Sequence, residues 1–100
     1  MKTYTVEVDE QGTKMWYING LLHREDGPAM EYARGDKYWF MHGKLHREDG
    51  PAIEYHNGGK YWYLDGKMLP EQEFLARTTN TVISVIINGI TYTAIKCGLK

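Results

Sequence analysis

Two identical clusters of ionisable side chains, His23-Arg24-Glu25-Asp26 and His46-Arg47-Glu48-Asp49, stand 23 residues apart. A histidine beside two carboxylates could ligate a divalent metal or move protons in a hydrolysis. A metal-dependent hydrolase is therefore one reading. The other is structural. Units two strands apart in a stack of hairpins sit ~10 Å apart, within reach of an arginine. Arg24 and Arg47 would then pair with carboxylates of the neighbouring unit, Asp26 and Asp49 among them, while His23 and His46 cap turns. Duplication favours the structural reading. A catalytic site rarely needs two copies, and a third repeat unit lacks the cluster. No catalytic residue, metal or cofactor is expected.

The clusters belong to a longer repeat. Lys14–Asp36 reads KMWYINGLLHREDGPAMEYARGD and Lys37–Gly59 reads KYWFMHGKLHREDGPAIEYHNGG, identical at 14 of 23 positions. A third copy starts on schedule at Lys60 (KYWYLDGKM) and breaks off after Met68. A fixed period of this length implies supersecondary units that stack on one another. Residues that break the repeat are then where function should differ.

Each unit predicts two strands. The first is Lys-x-Trp-aromatic-apolar and ends at Asn19-Gly20, His42-Gly43 or Asp65-Gly66, dipeptides suited to tight turns. The second opens after Gly27-Pro28 or Gly50-Pro51, because proline forces extension before it and cannot donate within a sheet. Thr3–Val8 predicts a further strand, part of a degenerate half-repeat over residues 1–13 with one extra residue before its lysine. Residues 14–68 form the repeats. Over residues 69–78 the pattern changes: Pro70, Glu71, Glu73 and Arg77 suit the ends of a short capping helix, about Pro70–Arg77. Residues 81–96 predict a hairpin about Asn88-Gly89. The expected architecture is a single, mainly β domain: an antiparallel meander of hairpins with one short helix and a C-terminal hairpin.

Alternation places Trp16, Trp39 and Trp62 on one sheet face, expected to be core. It places Tyr17, Tyr38, Phe40, Tyr61 and Tyr63 on the other. That second face is either covered by the C-terminal hairpin or left open as a contact surface. Tyrosine and tryptophan anchor interfaces because they bring large area at low entropic cost. An open aromatic face could also hold a small ligand or nucleotide. On the hairpin, Ile83, Val85, Ile87, Ile90, Tyr92 and Ala94 share one apolar side. A hairpin alone is marginal, so this side is expected to meet a second copy in a homodimer.

The 42% hydrophobic and 25% charged content fits a globular chain. A net charge of −1 disfavours nucleic acid and anionic lipid as partners. Cys97 is the single cysteine, which fits a reducing, cytoplasmic setting. The opening MKTYTVEVDE has no apolar stretch, and no membrane segment is expected.

The motif Trp-x-x-x-Gly-x-Leu-His-Arg-Glu-Asp-Gly-Pro-Ala, repeated every 23 residues over about Lys14–Met68, resembles the MORN (membrane occupation and recognition nexus) repeat. It is most similar to a variant found in small bacterial and phage proteins. The resemblance implies a scaffold or partner-binding surface. It points to a non-catalytic phage accessory protein in the host cytoplasm that inhibits or redirects a host protein, with an anti-defence role among the possibilities.

Overall fold

The computed structural model describes residues 3–78 and 80–97, with the backbone alone for 80–85 and 93–97. The strands are β1 (Thr5–Val8), β2 (Lys14–Ile18), β3 (Leu21–Leu22), β4 (Met30–Glu31), β5 (Lys37–Tyr38), β6 (Phe40–Met41), β7 (Lys44–Leu45), β8 (Ile53–Glu54), β9 (Lys60–Leu64) and β10 (Lys67–Leu69). Helix α1 (Glu71–Thr78) follows, then β11 (Asn80–Ile87) and β12 (Ile90–Cys97). The fold is mainly β and antiparallel, with the single short helix and the C-terminal hairpin that the sequence predicts. The helix lies within one residue of its expected bounds.

The main sheet runs β1-β2-β4-β5-β8-β9-β10. Its long strands do two jobs. Lys14 and Met15 pair with β4, while Tyr17 and Ile18 pair with β3. The first unit therefore has three strand segments rather than two, and the second has four because its first strand is interrupted at Trp39: a short return strand follows the glycine turn of each repeat unit. Asn19, His42, Asp65 and Asn88 have φ of 50–53°, each followed by a glycine at positive φ. This is the primed turn whose twist matches a hairpin.

A second turn recurs in the loops between units. Asp9 N–H bonds to Thr13 O, Tyr32 N–H to Asp36 O, and Tyr55 N–H to Gly59 O. These pairs are spaced by the full period, and Val8 opposes Lys14 as Glu31 opposes Lys37. The half-repeat is thus in phase, with no extra residue. Matching Glu7-Val8 to Glu31-Tyr32 by composition shifts the alignment by one.

The chain is a plate, not a ball. Its extents are 68 × 36 × 19 Å and its radius of gyration is 18.1 Å, against ~13 Å for a compact chain of this length. A single layer buries little. Ala29, Ala52, Ile53, Leu69 and Phe74 are the buried apolar residues among those described. The three tryptophans, expected as core, are only half-buried. At the turn of the C-terminal hairpin Ile86, Ile87, Ile90 and Tyr92 are each more than half exposed. The hairpin register is the expected one, Ile87 opposite Ile90 and Val85 opposite Tyr92. The side chains of Ile83 and Val85, further members of the expected patch, lie outside the described residues.

Among the described residues, no helix is long and apolar enough to cross a membrane.

Candidate functional site

The arginine side chains of the repeated clusters do not reach the next unit, although the backbone N–H groups of Arg24 and Arg47 bond there to the carbonyls of Phe40 and Tyr63. Arg24 bonds to Asp26 at 3.0 Å, to the carbonyl of Pro28 at 3.2 Å and to Glu31 at 3.2 Å, all within its own unit. Arg47 repeats this with Asp49, the Pro51 carbonyl and Glu54 at 2.8, 3.1 and 2.9 Å. The expected ladder between units is therefore overturned. The cause is the tryptophan half a unit back. The Arg24 guanidinium lies 4.0 Å from the Trp16 ring centroid and that of Arg47 lies 3.8 Å from Trp39. A planar cation stacked on an indole gains from the ring's negative face while its edge stays free to bond carboxylates. The guanidiniums are the cover of the tryptophan face.

The glycine that closes the motif has its reason here. A Cβ on Gly50 would stand 2.9 Å from Cζ of Arg47, and on Gly27 3.1 Å from Cζ of Arg24. Gly50→Ala should therefore evict the guanidinium and destabilise by about 1–3 kcal/mol. Arg47→Met should cost a similar amount, and the double variant little more than either. Additive losses in chemical denaturation would show that Gly50 matters for another reason.

Histidines link the units instead, each capping a turn. His23 Nδ1 accepts the His42 N–H at 2.9 Å, and His46 Nδ1 accepts the Asp65 N–H at 2.9 Å. The opposite nitrogen, Nε2, then carries the proton and faces Glu25 at 3.2 Å or Glu48 at 3.1 Å. Both ring nitrogens are engaged: Nδ1 holds the neighbouring hairpin, and Nε2 bonds within its own cluster. Among the described residues, no three His, Cys, Asp or Glu side chains gather where a metal ion could sit.

A further link between units is absent from the sequence reading. Asp36 is fully buried. It accepts the His56 backbone N–H at 2.8 Å and the His56 Nδ1–H at 2.9 Å, and Arg34 grips it at 2.6–2.7 Å. The His56 backbone N–H above all, with its ring and Arg34, outweighs desolvation and holds the Asp36 carboxyl at a pKa of about 2. The signal was available. Arg34, Asp36 and His56 sit where the two copies differ.

The opposite face is aromatic. Tyr38 meets Tyr32 edge-on at 5.6 Å and Tyr55 at 6.2 Å, stacks beside Phe40 at 6.5 Å, and Tyr55 meets Tyr61 at 5.8 Å. Burial first, then its bond to Tyr55, raises the Tyr38 hydroxyl to about 12, so it stays neutral at any physiological pH. Of the five expected contact residues, Tyr38, Phe40 and Tyr61 join this network. Tyr17 instead donates to the Met15 sulfur at 3.5 Å, and no ring contact among the described residues reaches Tyr63. Tyr32 and Tyr55 complete the row. They directly follow β4 and β8, where Met30 and Ile53 oppose Tyr38 and alternation returns the tyrosines to the same face. No protein family, curated protein or solved structure matches the chain.

Proposed function

We propose that the chain is a non-catalytic protein-binding module that engages its partner through the tyrosine face. The observation that carries this reading is the row Tyr32–Tyr38–Tyr55–Tyr61, locked ring against ring on a one-layer sheet. Its end, Tyr61, is 44% exposed. Rings already fixed by their neighbours lose little entropy on docking, and their hydroxyls supply direction. The engagement of both histidines in turns favours a structural role for the repeated clusters over a hydrolytic one. The resemblance to MORN-like repeats extends the proposal to a phage-encoded adaptor or inhibitor of a host protein.

The test is affinity capture from bacterial lysate. Tyr61→Ala should weaken capture of the partner about thirtyfold, the measure of a ~2 kcal/mol anchor, with little change in melting temperature. Undiminished capture by Tyr61→Ala and by Tyr38→Ala would dismiss the face as the contact surface.

A second copy of the chain is the proposed occupant of the C-terminal hairpin. Ile87, Ile90 and Tyr92 are 53–56% exposed on one side of it, and apolar area of that kind favours two-fold pairing. Ile87→Lys should turn a dimer into a monomer. Sedimentation equilibrium must decide, because a plate 68 Å long elutes early from a column at any mass. A monomeric parent chain at high micromolar concentration would refute the pairing.

A further inference from the structure

The three tryptophans are equivalent in sequence but not in surroundings. Trp16 and Trp39 carry Arg24 and Arg47. One period beyond Arg47 stands Pro70, and among the described residues no cation lies over Trp62. The third unit keeps the indole and has lost its guanidinium.

What replaces it is a groove. A cleft of about 640 Å³ runs between the second acidic loop and α1, with Trp62 in its floor, within the ~300–1,000 Å³ range of ligand-binding clefts. Glu48 and Asp49 line one bank, Glu71 the other, and Phe74 and Leu75 add apolar wall. Asp49 has one oxygen on Arg47 and is 84% exposed; Glu48 faces His46 and is 60% exposed. Glu71 is exposed and makes no ion pair among the described residues. Lys60 also lines the cleft. Its register places it opposite Glu54, as Lys37 stands opposite Glu31, and Lys37 precedes a tryptophan that still takes its arginine. Three carboxylates around a half-buried indole with no cation over it, together with apolar walls, suit a delocalised cation with an aliphatic stem.

We propose that the Trp62 groove receives an arginine side chain from a basic segment of a partner protein. The guanidinium would complete between two chains the stack that this chain builds within itself twice. Arginine is favoured over lysine, because only the planar fork can lie on the indole and bond carboxylates from its edge. The groove opens on the tryptophan face, so the inference does not rest on the tyrosine-face reading.

The experiment follows the three indole Nε1–H resonances of the full-length, labelled chain during titration with the peptide Ac-Arg-Gly-Arg-Gly-Arg-NH2. Trp62→Phe assigns its signal. The Trp62 resonance should move and saturate at millimolar peptide, while those of Trp16 and Trp39 stay in place. Lysine-substituted peptide should bind several-fold more weakly and citrulline-substituted peptide not measurably. Glu71→Gln, at an exposed position, should weaken binding several-fold with only the small fall in melting temperature that losing a first-turn helix charge brings, and Glu71→Lys should abolish binding. Equal movement of all three indoles, equal response to arginine and citrulline, or no saturable response overturns the proposal. A loss of capture on Tyr61→Ala with this titration intact, or the reverse, separates the two sites.

Discussion

Phe74→Ala should destabilise the chain by about 3–5 kcal/mol, the usual cost of emptying a buried phenylalanine site. Phe74 is 2% exposed and is the buried residue of α1. Helix α1 packs against β9, the strand of Trp62, and Phe74 lines the cleft beside that indole. In a plate with so few buried side chains, one anchor of this size carries a large share of the total. The loss should begin at the C-terminal end, since stacked units are stabilised mainly by their neighbours. Far-ultraviolet circular dichroism on heating should show a broadened or split transition. Leu75→Ala, at a position 48% exposed, should change stability by no more than about 0.5–1 kcal/mol. Equal effects of the two variants would mean that α1 does not fasten the sheet through Phe74.

Asp36→Ala should be the most damaging change in the loops, lowering the melting temperature by on the order of 10 °C. It strips the acceptor from the His56 backbone N–H and leaves Arg34 without its carboxylate partner. The same carboxylate sets an acid limit. Its folded pKa of about 2 lies below the ~3.9 of an unfolded aspartate. A depressed carboxyl contributes stability above the unfolded value, and that contribution disappears as the pH falls through the folded one. The parent chain should therefore lose stability between about pH 4 and pH 2. Asp36→Asn, which keeps the shape but not the charge, should lower the plateau at neutral pH and flatten this part of the profile. An unchanged acid limb in Asp36→Asn would assign the limb to other carboxylates.

The parts of this fold that were legible in the sequence are those governed by local geometry. The glycine dipeptides marked all four hairpin turns, Pro70 and the charges after it marked the helix, and alternation set the register of the last hairpin. Four things were not legible, each for a physical reason. The direction of Arg24 and Arg47 depends on which of several carboxylates lies in reach, and strand spacing alone allows neighbours on either side. Gly27 and Gly50 hinted at the answer, since a glycine held at ordinary φ signals close approach rather than a turn. The partnership of Asp36 with His56 crosses 20 residues: their departure from the repeat marks the positions, but their pairing depends on how the loops stack. Tyr32 and Tyr55 were read as strand ends, so their place on the aromatic face went unseen. The tryptophan ladder misled because hydrophobic alternation identifies a face without saying whether protein or a guanidinium will cover it.

Among the described residues, the hydrogen bonds from one unit's side chains to the next span 19 to 21 residues, never several periods. Each unit adds two strands to the main sheet, which advances it by ~10 Å. Reach is therefore counted in whole units. Duplicating a 23-residue segment of the gene would move the N-terminal strand one step further from the helix and its groove, with every new contact already specified by the copies beside it. Deleting one would bring them a step closer. A lineage carrying this chain could retune the distance between its two ends by recombination alone, without altering either end.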